Sequence, residues 1–217
     1  DQDLSGDQAV TFDGTGSTDS DGTIVSYVWT EGATQLATGD GPTVTLAVGT
    51  HVITLTVTDE DGATGTDTLT VKVNDPPVAD AGPDQTLSDQ DLDGEELVAL
   101  DGTGSTDGDG SIVSYVWTEG ATQLATGATP DVTLSVGVHV LTLTVTDEDG
   151  ATGTDTLVID VNDPPVADAG PDQLVSDQDL TGDELVTLDG TGSTDSDGTI
   201  ASYAWTEGAT QIATGAT

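Results

Sequence analysis

The side chains best suited to chemistry in this chain are carboxylates set in short loops punctuated by glycine. One loop reads Asp19-Ser20-Asp21-Gly22 and returns as Asp107-Gly108-Asp109-Gly110 and Asp195-Ser196-Asp197-Gly198. Another reads Asp59-Glu60-Asp61-Gly62 and returns as Asp147-Glu148-Asp149-Gly150. Hard divalent cations take about six to eight oxygen ligands from carboxylates, carbonyls and water, and loops that concentrate Asp with Gly supply such oxygens. Calcium is the ion this chemistry suggests. The same residues also make a solvated tight turn, since Asp-Gly suits hairpin geometry, and neither loop follows the EF-hand pattern. A further acidic stretch, Asp89-Gln90-Asp91 through Glu95-Glu96, recurs as Asp1-Gln2-Asp3 and Asp177-Gln178-Asp179 and reads as an exposed loop rather than a site.

Catalysis finds less material. Serine, histidine and acid are all present, but the two histidines, His51 and His139, are equivalent positions of a repeat, and no G-x-S-x-G accompanies them. Carboxylate pairs of the kind that hydrolyse glycosides arise by chance on a surface this acidic. The chain is therefore not expected to be an enzyme.

Charge narrows the partners. Lys and Arg total 1 against 41 Asp and Glu, a formal charge of −40 on 217 residues, with no cysteine. Nucleic-acid binding needs cations that displace counter-ions from phosphate, and Lys72 is the single one besides the histidines, so no nucleic acid is expected. Anionic lipid is disfavoured in the same way, and no apolar run approaches the roughly 18 residues of a membrane span, so no membrane insertion is expected either. Self-repulsion on this scale calls for screening. At molar salt the Debye length falls to about 3 Å, so a halophilic, or otherwise cation-rich, exterior would relieve it.

The elements that position the acidic loops follow from repetition. Asp-Gly-Thr-Gly-Ser-Thr-Asp begins at Asp13, Asp101 and Asp189, a spacing of 88 residues. The blocks IVSYVWTEGATQLATG, TLTVTDEDGATGTDTL and NDPPVADAGPDQ recur at the same spacing. A unit of this size is a small domain rather than a solenoid coil, so the chain divides into residues 1–74 (a copy lacking its first strand), 75–162 (a complete copy) and 163–217 (a copy lacking its C-terminal half), as in a window on a longer array. Disorder, the other outcome of high charge with few aromatics, is opposed by strand periodicity. His51, Ile53, Leu55 and Val57 share one face, while Val52, Thr54, Thr56 and Thr58 share the other. In the complete copy strands are expected over 78–88 (interrupted around Gly82-Pro83), 95–101, 112–118, 122–126, 131–136, 138–146 and 153–161. Two antiparallel sheets would enclose Val98, Leu100, Tyr115, Trp117, Leu124, Val132, Leu134, Leu141, Leu143, Val145, Leu157, Ile159 and Val161, with Trp117 at the centre.

The run N-D-P-P-V-A-D-A-G-P-D-Q, then L-D-G-T-G-S-T-D-x-D-G-x-I-x-S-Y-x-W, then L-T-V-T-D-E-D-G-A-T-G-T-D-T closely resembles polycystic-kidney-disease (PKD) domains, in tandem and over essentially the whole chain. The resemblance implies an all-β chain of tandem immunoglobulin-like, PKD-type antiparallel β-sandwich domains, in a bacterial or archaeal extracellular or cell-surface protein. Two features depart from the family. Trp29, Trp117 and Trp205 are followed by Thr-Glu-Gly-Ala-Thr-Gln instead of a D-F-G-D-G hairpin, and His51 and His139 replace the tyrosine near the start of the sixth strand. A histidine on the core side at that place reads as a packed, hydrogen-bonded residue rather than a ligand.

Both acidic loops would lie at one end of the sandwich, beside the entering linker, where calcium-binding members of the family hold their ion. Carried onto this chain, the resemblance implies Asn74, Asp107, Asp109 and Asp147 as ligands for the complete copy, Asp19, Asp21 and Asp59 for the first, and Asn162, Asp195 and Asp197 for the last. The expected function is a structural extracellular array, as stalk, adhesin shaft or filament subunit, with calcium-stiffened junctions. Its partners would be neighbouring repeats of the same protein, in a homopolymer, or a surface polysaccharide or protein ligand. Asp75-Pro76-Pro77 and Asp163-Pro164-Pro165 support extension, because proline fixes its own φ and restricts the residue before it. The competing function is a carbohydrate- or protein-binding accessory module of a secreted hydrolase.

Overall fold

A computed structural model describes residues 6–176 and 182–217; the triplets Asp1-Gln2-Asp3 and Asp177-Gln178-Asp179 lie outside the described residues. Every regular element in it is a strand. The first copy comprises β1 (Asp7–Thr11), β2 (Ile24–Glu31), β3 (Thr34–Thr38), β4 (Thr43–Ala47), β5 (Gly49–Asp59) and β6 (Thr64–Val73). These form a pair β1-β4 and a sheet of order β3-β2-β5-β6. The complete copy adds β7 (Gln85–Ser88), β8 (Glu95–Ala99), β9 (Ile112–Glu119), β10 (Thr122–Thr126), β11 (Asp131–Ser135), β12 (Gly137–Asp147) and β13 (Thr152–Asn162), arranged as β8-β11 and β10-β9-β12-β13-β7. In the last copy β14 (Ala204–Glu207) pairs with β15 (Thr210–Thr214).

Two differences from expectation concern the first strand of the complete copy. The segment 78–88 is regular only over β7, while its start makes an isolated bridge from Val78 to Thr106. Gly82, at φ 77°, with Pro83 after it, diverts the chain between these two pairings. The sheets are also not wholly antiparallel, because β7 runs parallel to β13. Parallel neighbours need a long connection between them, and here the rest of the sandwich is that connection.

Alternation fills the core as the sequence predicts. Leu141, Leu143 and Val145 of β12 are buried, whereas Thr142, Thr144 and Thr146 stand on the outer face opposite Thr156, Thr154 and Thr152 of β13. Such cross-strand pairs of β-branched residues suit a half-exposed sheet. Trp117 is fully buried, and its indole N–H donates to the Gly127 carbonyl at 3.0 Å. Val98, Leu100, Val132, Leu134, Leu157, Ile159 and Val161 surround it with Ala81, and Tyr115 and Leu124 pack at the margin. The first copy repeats the pattern around Trp29, whose ring lies 4.9 Å from that of Phe12.

The motif that sets the period is a turn packed on this tryptophan. Asp101 Oδ1 accepts from the Thr103 backbone N–H at 2.9 Å and its hydroxyl at 2.6 Å, and Asp13–Thr15 and Asp189–Thr191 do the same. Those hydroxyl and backbone donors hold all three carboxyls below the ordinary carboxylate range. The glycine between them is a packing requirement, for a Cβ on Gly102 would come within 3.0 Å of Leu143 and 3.2 Å of Trp117.

Candidate metal site at the domain junction

The linker reaches the complete copy at the end expected. Asn74 follows β6 directly, and its side-chain amide donates to Asp147 Oδ2 at 2.7 Å. One residue later the Asp75 backbone N–H donates to Asp109 Oδ1 at 3.1 Å. Gly153 lets the linker lie this close, since a Cβ there would meet the Pro77 carbonyl oxygen at 2.0 Å. The linker thus joins Asn74 to Asp147 and Asp75 to Asp109, but Asp107 is bonded only within its own loop, and among the described residues the carboxylates of Asp107, Asp109 and Asp147 do not lie within 4.8 Å of one another.

Each acidic loop is also internally braced. Asp107 Oδ1 accepts from the N–H groups of Asp109 at 3.2 Å and Gly110 at 3.1 Å. Asp147 Oδ1 accepts from those of Asp149 at 2.9 Å and Ala151 at 2.8 Å. Asp147 is buried, which by itself would raise its pKa. The Asn74 amide and the N–H groups of Ala151, Asp149 and Gly150 outweigh burial and hold it below the ordinary range, so it is an anion. Glu148 ties the two loops together by accepting from the Ser111 hydroxyl and, at 2.6 Å, from its backbone N–H. Lys72 of β6 pairs with Asp149 across the junction.

In the first copy Asp19 Oδ1 accepts from Asp21 N–H at 3.3 Å, and Asp59 Oδ1 from Asp61 and Ala63 at 2.9 Å. At the second junction Asp163 N–H donates to Asp197 Oδ2 at 3.0 Å, and Asp195 Oδ1 accepts from Gly198 at 3.0 Å. Asn162 ends β13 exposed, and its backbone carbonyl accepts from Asp89 at 2.9 Å. The Ser196 hydroxyl donates to Asp163 Oδ2, whereas Asp163 Oδ1 is buried with no hydrogen-bond partner. An unpartnered buried carboxylate oxygen, in a donor set made wholly of oxygen, fits a hard cation such as calcium.

The acidic stretch after β7 differs from its sequence reading. Asp91 and Asp93 are exposed as expected, but Asp89 is fully buried and accepts from Leu92 N–H at 2.9 Å and Gly94 N–H at 2.8 Å. It is the anchor of a loop in which Leu92 takes a φ of 58°. Among the described residues this is the acidic trio whose ligand oxygens lie within 4.8 Å of one another. Asp93 beside it, and the hydrogen bond to Asp89, raise the Asp91 pKa. No feature of the sequence distinguishes Asp89 from its exposed neighbours, so its role emerges only from the fold.

Both histidines are occupied. His51 Nδ1 lies 2.8 Å from Glu31 Oε1 and Nε2 lies 2.9 Å from the Ala47 carbonyl; His139 bridges Glu119 and the Ser135 carbonyl, each at 2.8 Å. Each ring nitrogen thus has an oxygen partner, and both histidines are packed, hydrogen-bonded residues. In the last copy an apolar depression is lined by Val166, Tyr203 and Trp205, the counterparts of Val78, Tyr115 and Trp117, of which Trp117 lies in the core of the complete copy and Tyr115 packs against it.

Residues 74–161 match the family described as PKD domain, and residues 1–73 match the one described as K319L-like, PKD domain. The chain is similar to the Dyslexia-associated protein KIAA0319-like protein of Mus musculus, at 37% identity over 219 residues, which is 89% of this chain and 20% of that protein. It is also similar to the Pre-pro-metalloprotease PrtV of Vibrio cholerae, at 37% identity over 145 residues, 66% of this chain and 15% of that protein. The chain thus spans about a fifth of the mouse protein's length. A solution structure of the PKD domain from KIAA 1837 protein is 31% identical with a TM-score of 0.34, covering 48% of this chain and 99% of that domain. Animal and bacterial proteins both stand among these relatives, so the similarity marks a domain family and does not carry the bacterial or archaeal source expected from the sequence.

Proposed function

Because this chain belongs to the PKD-domain family, in tandem copies, we propose that it is a structural segment of an extracellular or cell-surface repeat array, a stalk, adhesin shaft or filament subunit, whose junctions are stiffened by calcium. The observation that carries the proposal is the convergence of the Asn74 amide on Asp147 and of the Asp75 backbone on Asp109, which ties the segment leaving one domain to two acidic loops of the next. Asn74, Asp107, Asp109 and Asp147 would hold the ion at the first junction, and Asn162, Asp195 and Asp197 at the second, with Asp163 beside them. Calcium would supply positive charge where carboxylates repel one another. The Asp-Pro-Pro linkers restrict the hinge, and a salt-adapted exterior fits the charge of −40. Partners would be neighbouring repeats of the same protein, in a homopolymer, or a surface polysaccharide or protein.

The similarity to the Vibrio metalloprotease favours a second reading, an accessory module of a secreted hydrolase. Sugar binding by such a module needs exposed aromatic faces, and Trp29 and Trp117 are buried in the two sandwich cores. Small-angle scattering of the full chain tests the array. An extended particle in calcium that becomes more flexible in chelator is the expected result, and a compact particle with domains folded back would contradict it.

A further inference from the structure

The chain has one lysine and no arginine to set against 41 carboxylates, and that lysine lies at the first junction. Lys72 stands two residues before Asn74, on β6, and its ammonium pairs with Asp149 in the turn between β12 and β13 of the following copy. The Asp149 backbone N–H in turn donates to Asp147 Oδ1, the carboxylate that Asn74 grips through Oδ2. One short segment therefore holds one acidic turn twice, by an amide and by a cation. We propose that Lys72 is a built-in counter-ion of this junction, supplying part of the neutralisation that the second junction, with Asp160 at the corresponding position, lacks.

The copies themselves provide the contrast. β6 with the residue after it reads Val71-Lys72-Val73-Asn74, and β13 ends Ile159-Asp160-Val161-Asn162, so the position of the cation carries an extra carboxylate at the second junction. There Asp163 Oδ1 is buried without a partner. An isolated exposed ion pair contributes little, and Lys72 and Asp149 are both partly exposed. Lys72, however, faces more than one acid. Its ammonium is bonded to Asp149 and also stands in the field of Glu148 and Asp109. Since Asp109 is among the residues assigned to calcium, the tethered ammonium also opposes a divalent ion at this junction. That consequence rests on the calcium proposal above, whereas the counter-ion role does not.

The test compares the full-length wild-type chain with Lys72→Gln and Lys72→Asp, the second reproducing the residue found in β13. Thermal melts in chelator at low sodium should fall from wild type to Gln to Asp, and the gap should close in molar sodium. Calcium titrated calorimetrically should bind Lys72→Asp roughly tenfold more tightly than wild type, as expected for exchanging a positive for a negative charge near a divalent ion. Identical chelated melts of all three proteins at low sodium would overturn the proposal, whether or not calcium shifts them. A salt-sensitive loss without calcium binding to any of them would retain the counter-ion and remove the calcium assignment instead.

Discussion

Asn74 and Asp147 are 73 residues apart in sequence and joined by a 2.7 Å hydrogen bond, the amide of the segment leaving one domain donating to a buried carboxylate of the next. A residue outside the second sandwich thereby satisfies an anion inside it, so stability of the domain and orientation of the linker become one property. Asn74→Ala should lower the stability of the complete copy by about 1–3 kcal/mol, the cost of leaving a buried acceptor short of a donor. Denaturant unfolding of the full chain measures it, and an unchanged midpoint would mean that water replaces the amide.

The same contact gives a pH signature. Asp147 has its folded pKa lowered, so the stability it contributes is present above the ordinary carboxylate range and is lost as pH falls through the depressed folded value. Between about pH 5 and pH 2 the wild type should lose more stability than Asn74→Ala, in which the depression is smaller. Parallel stability curves over that range would show that Asn74 does not set the ionisation of Asp147.

His51 gives the opposite sign. The Ala47 carbonyl raises its pKa against the effect of burial, and Glu31 adds to the rise. Its contribution is fully present below its ordinary value, about 6.5, and is lost as pH climbs through the higher folded value. Glu31→Gln should flatten the decline in stability above neutrality and lower the imidazole pKa read by NMR. A titration of His51 unchanged by that substitution would contradict the pairing.

The loop after β7 depends on Asp89. With both oxygens spent on the Leu92 and Gly94 amides, Asp89→Ala leaves two inward-facing N–H groups without acceptors and should cost about 1–3 kcal/mol, whereas Asp91→Ala on the same loop should cost little. Equal effects of the two substitutions, measured by denaturant melts, would remove the distinction drawn between anchor and exposed neighbours.

The strands and core were legible in sequence because their signal is periodic: alternation selects Leu141, Leu143 and Val145 whatever lies opposite them, and β9, β10 and β11 fall where the pattern puts them. Parallel pairing of β7 with β13 was not legible, since it depends on which edge the entering chain reaches. The histidines carried a signal that could have been read further. Thr-Glu-Gly after the tryptophan and histidine at the strand start both depart from the family, they occur together in two copies, and there Glu31 pairs with His51 and Glu119 with His139. Convergence of Asn74 on Asp147 followed from resemblance rather than from spacing, while Asp89 and Asp91 look alike in sequence and differ only in burial.

Calcium at the junction is tested most directly by thermal melting of the full chain in millimolar calcium against sodium of the same ionic strength. An ion bound only by the folded state stabilises by RT ln(1 + [L]/Kd), about 2.7 kcal/mol at a hundredfold excess over Kd. The melt should rise with calcium well beyond the sodium control, and Asp107→Ala combined with Asp109→Ala should reduce that difference while leaving the fold intact, since both residues lie in a loop. Equal shifts in calcium and in matched sodium would contradict the assignment and leave the acidic loops as solvated turns.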